Sequence, residues 1–353
     1  MRIVCAMSGG VDSSVAAALL VEAGHEVVGV HMKLHDADGG EPGRCCGLDD
    51  AWDARRVADK LGIAFYVMDL RAAFRDAVMN DLVSEYVAGY TPNPCVQCNG
   101  VLKFTVLRHR AKALGAGAIA TGHYARTRDG RLFAAVDADK DQSYFLHPVS
   151  RAALLETQFP LGGLTKSEVR DHARRLGLAT AEKAESMEVC FLPDDDHARF
   201  VSEARPELVG AGEIVDQAGR VLGQHDAYWR YTLGQRRGLG LAGGPWYVVG
   251  IDAEARRVVV GPEDALQVHT LEVRAPNWLV EPSSLAGRTL RARVRHRGAL
   301  APCEVRGGDP LTLELLAPLR AATPGQSVVV YDGDEVVLGA IIRRTAAAPR
   351  ESS

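Results

Sequence analysis

The chain has 353 residues, of which 47% are hydrophobic and 24% charged, and its formal net charge is −4. At about 150 residues per domain, this length predicts two or three domains, and the composition excludes a disordered or coiled-coil chain. The negative charge excludes a general attraction to nucleic acid or membranes, so a polyanionic partner needs a local basic patch. We expect no membrane span, because no apolar run approaches ~20 residues, and no signal peptide, because the N-terminal run Met1–Met7 reaches glycines too soon. Seven cysteines, an odd number, favour a reducing, cytoplasmic location over a disulfide framework.

Strand and helix patterns alternate through the first two-thirds of the chain. Short apolar runs predict strands at Ile3–Met7, Val27–Met32, Phe65–Asp69 and Ala118–Thr121. Helical patterns lie at Ser13–Ala23, Asp50–Leu61, Leu70–Ala88 and Val101–Leu114. This alternation predicts an α/β doubly wound parallel sheet with helices on both faces, which binds ligands at the carboxyl ends of its strands.

The pattern changes to short alternating runs from about Gly212 onward, which predicts a mostly β region. The predicted strands are Glu213–Val215, Val221–Gly223, Trp246–Val249, Arg257–Val260, Leu290–Arg297, Leu311–Leu315, Val328–Tyr331 and Val336–Ile342, with hairpin turns at Asp216–Gly219 and Tyr331–Asp334. We therefore expect an α/β domain over residues 1–200, a small central β-rich domain over 201–268, a C-terminal β-barrel over 269–345 and a disordered tail over 346–353.

A glycine-rich loop, Ser8-Gly9-Gly10-Val11-Asp12-Ser13-Ser14, lies between the first strand and the first helix. Paired glycines bring successive N–H groups close to an anion, and we expect Ser13 and Ser14 to cap the helix, whose N-terminus adds positive charge. The loop has no lysine for a transferring γ-phosphoryl group, so it suits cleavage between the α- and β-phosphates. The alternative is a plain glycine-rich turn. The motif resembles the PP-loop of the N-type ATP pyrophosphatases.

Three cysteines lie where chemistry is expected. Cys95 and Cys98 lie in the proline-punctuated loop Thr91–Asn99, and Cys190 lies between the α/β and β regions, where clefts usually form. We expect Cys98 to precede a helix that starts near Val101, so that the helix N-terminus and a nearby lysine lower the pKa of its thiol. Three interpretations stay open: inert buried cysteines, a metal site that Cys190 or the Cys45-Cys46 pair completes, and sulfur chemistry with one persulfide cysteine and one resolving cysteine.

Six segments, taken in order along the chain, carry a more specific resemblance. They are Ser8–Ser14, Asn93–Asn99, Lys103-Phe104, Ala120–Ala125, Lys140–Phe145 and Tyr231–Arg236. Together they resemble the tRNA-specific 2-thiouridylases, a PP-loop family, over nearly the whole chain. The chain departs from many members at Cys95, where they have aspartate, and at Arg295-His296-Arg297, where they have Arg-Tyr-Arg.

The resemblance implies an ATP-dependent sulfurtransferase that adenylates the C2 oxygen of the anticodon wobble uridine and then replaces it with sulfur, releasing AMP and pyrophosphate. It implies ATP contacts at Ala6, Met7, Ser8, Gly9, Gly10, Val11, Asp12, Ser13, Met32 and Gly122. We expect Mg²⁺ between the pyrophosphate oxygens. Asp12 is expected to orient that metal or to accept a proton, the alternative being a helix N-terminal charge worth ~0.3–1 kcal/mol.

The resemblance also assigns the cysteines. Cys190 would carry a persulfide that a cysteine desulfurase or a sulfur-relay protein loads, and Cys98 would be the nucleophile that frees the sulfur, leaving a Cys98–Cys190 disulfide for reduction. The alternative is a 4Fe–4S cluster on Cys95, Cys98 and Cys190, with the fourth iron open to sulfide.

Target-base and tRNA contacts follow from the same resemblance. The target-base contacts fall on Asn93, Pro94 and Cys95, and the tRNA contacts on His123, Lys140, Asp141, Gln142, Arg295, His296 and Gln326. Alternate arginines in Arg291–Arg297 would share one face of a strand and offer a phosphate-binding patch, unless that face is merely solvated. His123 is alternatively a hydrogen-bonded histidine at a strand end. Rival functions are a PP-loop ligase of a small carboxylate and a zinc-bearing RNA-binding module.

Overall fold

The computed structural model describes residues 1–36, 48–184 and 189–347. It divides into two compact units. The first contains the described residues of 1–79, 94–191 and 334–337, and the second contains those of 80–93, 192–333 and 338–347. Within the described ranges, no helix has both the length and the apolar character needed to cross a bilayer. Cys45 and Cys46 lie outside these ranges.

A five-stranded parallel sheet organises the first unit. Its strands are β1 (Arg2–Ala6), β2 (Glu26–Lys33), β3 (Ala64–Asp69), β4 (Ala118–Ala120) and β7 (Thr157–Gln158). They lie in the order β3-β2-β1-β4-β7, and all neighbours are parallel. The direction of the connections reverses between β1 and β4, so the carboxyl ends of these two strands mark the position at which such sheets bind ligands.

Helices connect and cover these strands. They are α1 (Val11–Glu22), α2 (Leu48–Leu61), α3 (Arg71–Phe74), α5 (Pro94–Gln97), α6 (Leu107–Ala113), α7 (Ser143–Leu146), α8 (Arg151–Leu154) and α9 (Lys166–Arg175). Two stretches, Arg75–Met79 and Cys98–Val106, have π-helical hydrogen bonding, which is rare and often found at functional sites. The core of this unit joins Ile3 and Cys5 of β1 to Val15 of α1, Val57 of α2 and Val169 of α9, all almost completely buried.

A hairpin of β5 (Ala125–Arg128) and β6 (Arg131–Ala134) completes the first unit. Glu335 and Val336 add antiparallel to β6, and Arg131 forms an ion pair with Glu335. This hairpin follows directly after the carboxyl end of β4, so it fixes the path of the chain that leaves the ligand-binding edge of the sheet.

The second unit contains helices α4 (Asn80–Val87) and α10 (His197–Ala204) and two β structures. The first is a four-stranded sheet in the order β10-β11-β8-β9, formed by β8 (Gly212–Asp216), β9 (Val221–His225), β10 (Tyr247–Asp252) and β11 (Arg257–Gly261). Short 3₁₀ turns lie at Pro193–Asp195, Pro206–Leu208, Tyr228–Arg230, Glu263–Leu266 and Pro282–Leu285.

The second β structure is a closed barrel. Its strands are β12 (Gln267–Trp278), β13 (Leu290–Arg293), β14 (Ala301–Arg306), β15 (Leu311–Arg320), β16 (Ser327–Asp332) and β17 (Glu335–Ala346). They lie in the order β12-β15-β14-β13-β16-β17, and pairing of β12 with β17 closes the barrel. Leu313, Val329 and Ile342 have no exposed surface, which shows that the closed barrel has its own apolar core.

The α/β fold class and the small β domains that follow are confirmed, and each predicted strand or helix is present. Two boundaries predicted for the C-terminal part are wrong. The predicted strand Leu290–Arg297 ends at Arg293, and the predicted tail begins inside β17, which continues through Ala346 because Thr345 and Ala346 pair with β12. The domain boundaries at residues 200, 268 and 345 stay predictions.

Candidate active site

The glycine-rich loop lies at the carboxyl end of β1, as predicted, and presents a row of unused donors. Among the described residues, the backbone N–H groups from Gly9 through Ser13 have no protein acceptor, and the first helical bond of α1 runs from Ser14 N to Gly10 O at 3.2 Å. Buried or half-buried N–H groups normally find an acceptor. Successive free N–H groups at a helix N-terminus form an anion-binding nest, and this one suits a polyphosphate.

Glycines let neighbouring backbone approach this loop. Gly9 has φ +84°, and a Cβ there would lie 2.2 Å from Asp50 O, at the start of α2. A Cβ on Gly122, which follows β4, would lie 2.7 Å from Ser13 N. Gly10 is different, because an added Cβ would meet only Ser8 Oγ, at 3.6 Å. Gly9 and Gly122 are therefore needed for packing, whereas the absent side chain of Gly10 leaves open space beside the free N–H groups.

The prediction that Ser13 and Ser14 cap α1 is wrong. The N-cap residue is Gly10, without a side-chain cap. Ser14 Oγ donates to Gly10 O at 2.8 Å, and Ser13 Oγ accepts from Ser8 N at 3.1 Å. Because α1 already begins at Val11, both hydroxyls lie inside its first turn and reach backward, so they fix the loop and leave its N–H groups free.

The carboxylate of Asp12 has partners that the sequence analysis missed. Lys166 Nζ lies 2.8 and 2.9 Å from the two carboxylate oxygens of Asp12, and Tyr124 Oη donates to Asp12 Oδ1 at 2.8 Å. Both members of the ion pair are largely shielded, with side-chain exposures of 13% for Lys166 and 31% for Asp12. A lysine thus reaches the phosphate loop from α9 although the loop itself has none.

A sequence signal for Lys166 exists. Thr165 and Glu168 form a capping box at the start of α9, in which each side chain bonds the other residue's backbone N–H. Ser/Thr-x-x-Glu before a helix marks such a start. Lys166 is therefore the first residue of α9, and its backbone N–H donates to Asp137 Oδ2 at 2.8 Å, which further fixes its position.

The remaining predicted ATP contacts lie around the same edge of the sheet. Ala6 and Met7 are buried, so any contact there would use their backbone. Met32 lies near the end of β2 and is half-buried. Its neighbour His31 is buried with Nδ1 3.0 Å from Met7 O, and burial lowers the pKa of that imidazole. A neutral His31 thus supports the strand end without adding charge near the phosphates.

The cysteines are free thiols with different exposure: Cys95 is exposed, Cys190 is half-buried and Cys98 is buried. The helix begins at Pro94 and not near Val101, because proline suits the first helical position. Cys98 therefore lies one turn inside the helix. Burial raises the pKa of the Cys98 thiol, and the opposing effect of Lys103 is smaller. The predicted lowering of this pKa is wrong for this conformation.

A metal centre does not fit the thiols as they are placed. No group of three His, Cys, Asp or Glu side chains in the described ranges lies close enough to hold a metal ion. Cys95, Cys98 and Cys190 thus form neither a zinc site nor a preformed cluster site in this conformation. Asp12 fits Mg²⁺ only as a single protein ligand, which suffices for an ion held mainly by phosphate oxygens.

The helical stretch that carries Cys98 is connected to the phosphate loop through residues that follow β4. The Phe104 ring lies 6.0 Å from the His123 ring, and Gly122 packs against the backbone of Asp12 and Ser13. The stretch is also held by Asn99 Nδ2, which donates to Phe145 O at 3.1 Å. All of these residues belong to the first unit. Residues 122–123 thus lie against both the phosphate loop, through Gly122, and the helical stretch Cys98–Val106, through His123 and Phe104.

Several predicted tRNA contacts have partners inside the protein. His123 Nδ1 lies 2.6 Å from Thr121 Oγ1, and burial lowers the pKa of His123 well below its usual value, which keeps the ring neutral. Asp141 is buried and accepts from the backbone N–H groups of Ala135 and Ser143 at 3.1 Å. Lys140 and Gln142 are half-buried. Gln142 Oε1 accepts from Tyr124 N at 2.9 Å.

In the barrel, the expected strand of four aligned arginines is not formed. Only Arg291 and Arg293 lie on β13, since the chain turns after it and Arg297 has φ +59°. Arg291, Arg295 and Arg297 are exposed and form no ion pair with any residue in the described ranges, whereas His296 is half-buried. The exposed guanidinium groups remain a local basic patch, with a turn in place of a continuous strand face.

Comparison with known families covers almost the whole chain. A family model described as "tRNA methyl transferase HUP domain" matches residues 1–194, one described as "tRNA methyl transferase PRC-barrel domain" matches residues 198–262, and one described as "Aminomethyltransferase beta-barrel domain" matches residues 268–342. A solved 4-thiouridine synthetase–RNA complex with bound ATP matches 58% of this chain and 50% of its own, with 16% identity and a TM-score of 0.39.

Curated relatives match at full length. A protein named tRNA-specific 2-thiouridylase MnmA from Geobacter metallireducens is 49% identical over 96% of this chain and 95% of its own length. The protein of the same name from Mycolicibacterium gilvum is 48% identical over 98% of this chain and 100% of its own. The family-model descriptions mention methyl transfer, but each covers one segment, whereas these relatives align along the whole chain. The chain therefore belongs to the family of tRNA-specific 2-thiouridylases.

Proposed function

We propose that the protein is an ATP-dependent tRNA 2-thiouridylase, which replaces the C2 oxygen of the anticodon wobble uridine with sulfur. One observation carries this proposal. The loop with N–H groups that have no protein acceptor lies against residues 122–123, and the helical stretch that bears Cys98 lies against the same two residues. A PP-loop ligase of a small carboxylate would use the loop but would leave Cys98 and Cys190 without a role.

The first step is adenylation. A carbonyl oxygen at C2 is a poor leaving group, so this oxygen attacks the α-phosphorus of ATP and pyrophosphate departs. The N–H groups of Gly9 through Ser13 bind the leaving pyrophosphate, and Mg²⁺, when bound, neutralises part of the phosphate charge. A bound triphosphate competes with Asp12 for Lys166, which then stabilises the charge that develops on the phosphate. Asp12 is left to orient the metal or to accept the uridine N3 proton.

The second step transfers sulfur. The Cys98 thiolate attacks the inner sulfur of a Cys190 persulfide, which forms a Cys98–Cys190 disulfide and releases the terminal sulfur as hydrosulfide. Hydrosulfide adds at C2 of the adenylated base and AMP leaves. A thiol reductant then restores both cysteines, in keeping with a cytoplasmic location. Cys98 is buried, and burial raises the pKa of its thiol, so this step needs Cys98 to become accessible to the persulfide.

Partners and domain roles complete the proposal. tRNA is the substrate, and a cysteine desulfurase or a sulfur-relay protein loads Cys190. Residues 1–200 perform the chemistry, residues 201–268 form the central β-rich domain, and the barrel of residues 269–345 binds tRNA through the patch at Arg295 and His296. A 4Fe–4S cluster on Cys95, Cys98 and Cys190 is the alternative sulfur carrier.

Pyrophosphate release tests the function directly. The purified protein, with ATP and Mg²⁺, is expected to release pyrophosphate when unmodified tRNA is added and not with a panel of small carboxylates. Release with a carboxylate and not with tRNA would establish the ligase instead. Anaerobic purification with iron, zinc and acid-labile sulfide analysis separates the sulfur routes, because stoichiometric iron and sulfide would contradict the persulfide route. Stoichiometric zinc without activity would identify a binding module.

A further inference from the structure

The segment just before the predicted target-base contacts is held by the second unit. Within that unit, Tyr228 Oη donates to Val87 O at the end of α4. Arg274 of β12 forms an ion pair with Glu85 and places its guanidinium 5.1 Å from the Tyr90 ring centroid. These contacts tie residues 80–90 to the central β structure and to the barrel. The chain then continues directly through Thr91 and Pro92 to Asn93.

A barrel loop, Thr323–Gln326, holds the last residues of this segment. Thr91 N donates to Pro324 O at 2.9 Å, and Gln326 Nε2 donates to Thr91 O at 2.9 Å and to Pro92 O at 3.4 Å. Gly325 has φ +92°, and a Cβ there would lie 2.6 Å from Thr91 N. The barrel loop and the segment therefore each donate a hydrogen bond to the other. Their backbones lie so close at Gly325 that no side chain fits between them.

The backbone that carries Gln326 is itself fixed. Gly325 N donates to Ile342 O and Ile342 N donates to Gln326 O, both at 2.8 Å, which anchors the barrel loop to β17. Gln326 is half-buried. Its side chain thus extends from a fixed backbone, and its Nε2 donates to two carbonyl groups of the segment. The side-chain amide of Gln326 therefore holds this segment in the protein without bound RNA.

We propose that Gln326 is a positioning residue for the target-base loop Asn93–Cys95. By fixing the carbonyls of Thr91 and Pro92 to the barrel loop, it sets where the following three residues of the chain start. This inference rests on the proposed function. A direct tRNA contact would instead change the Kd for tRNA.

The test compares Gln326→Glu and Gln326→Leu with Arg295→Ala as the matched tRNA-contact variant. Gln326→Glu keeps the shape but turns carboxylate oxygens toward two carbonyls, and Gln326→Leu removes the donor. Three quantities are measured: the Kd for tRNA, the single-turnover thiolation rate at saturating tRNA, and hydrogen exchange of the Thr91 amide in the free protein. Thermal unfolding confirms that each variant is folded.

A positioning role predicts that both Gln326 variants keep the Kd for tRNA within about twofold, lose roughly tenfold or more in thiolation rate, and exchange the Thr91 amide at least about tenfold faster. Arg295→Ala is expected to weaken tRNA binding without changing that exchange. A raised Kd with an unchanged rate and unchanged exchange in the Gln326 variants would overturn the proposal. If the wild-type protein thiolates no tRNA, the proposed function fails, while the exchange of Thr91 still decides whether Gln326 positions the segment.

Discussion

Substituting alanine at Gly9 and at Gly10 separates the packing of the phosphate loop from its ligand binding. Gly9 has φ +84°, which costs a non-glycine residue about 1–2 kcal/mol. Its Cβ would also lie 2.2 Å from Asp50 O, so the start of α2 must shift. We expect Gly9→Ala to destabilise the protein by about 2–4 kcal/mol, a fall in Tm of roughly 4–16 °C.

Gly10→Ala has a different expected result. Gly10 is extended, with φ −92°, and its added methyl group meets only Ser8 Oγ at 3.6 Å. The cost to folding should be about 1 kcal/mol or less. The methyl group would occupy the space beside the free N–H groups, so we expect ATP to bind about tenfold more weakly, a loss of about 1.4 kcal/mol.

Thermal unfolding and equilibrium ATP binding measure the two effects. Unaltered ATP affinity in a folded Gly10→Ala protein would refute the placement of phosphate in this loop. Wild-type stability of Gly9→Ala would refute the packing argument at Asp50.

Three further predictions concern charge and protonation. Lys166→Met should slow tRNA-dependent pyrophosphate release about 100- to 1,000-fold, as the loss of a preorganised charge-stabilising group does, whereas Lys60→Met, an exposed lysine, should leave the rate unchanged. Lys103→Met should raise the pKa of the Cys98 thiol further, because the lysine opposes the effect of burial. The pH profile of the Cys98 alkylation rate should therefore shift to higher pH, and an unshifted profile would contradict this. Burial lowers the pKa of His147 from 6.5 to about 3, so the unfolded chain binds a proton that the folded chain does not, and stability falls as pH decreases through this window. His147→Asn should therefore lose less stability between about pH 7.5 and about pH 5 in urea unfolding, and an equal loss would contradict the buried neutral imidazole.

The parts of the site that the sequence predicts are those with a local cause. Glycines between an apolar run and a helix pattern place the phosphate loop at a strand end, because a strand followed by a helix dictates that geometry. The approach of Gly122 to the loop, by contrast, depends on β1 and β4 being neighbours in the sheet. Lys166 meets Asp12 for a similar reason: they are far apart in sequence, and only the docking of α9 brings them together.

The errors also have tertiary or subtle local causes. A lysine near a thiol predicts a lowered thiol pKa, but the effect of burial on Cys98 outweighs that of Lys103, and burial is not visible in a local sequence. The prolines of Thr91–Asn99 predict a loop, although proline also suits the first position of a helix, where the structure places Pro94. The alternation from Arg291 to Arg297 fits a strand, yet the chain turns where Arg297 adopts a left-handed conformation.

The central claim is that adenylation and sulfur transfer are separate steps, with Cys190 needed only for the second. Cys190→Ser should therefore release pyrophosphate on addition of tRNA at close to the wild-type rate in a single turnover, while forming no 2-thiouridine when the sulfur donor is supplied. The same variant forming 2-thiouridine at the wild-type rate would contradict the assignment of the sulfur carrier, and loss of tRNA-dependent pyrophosphate release would contradict the separation of the two steps.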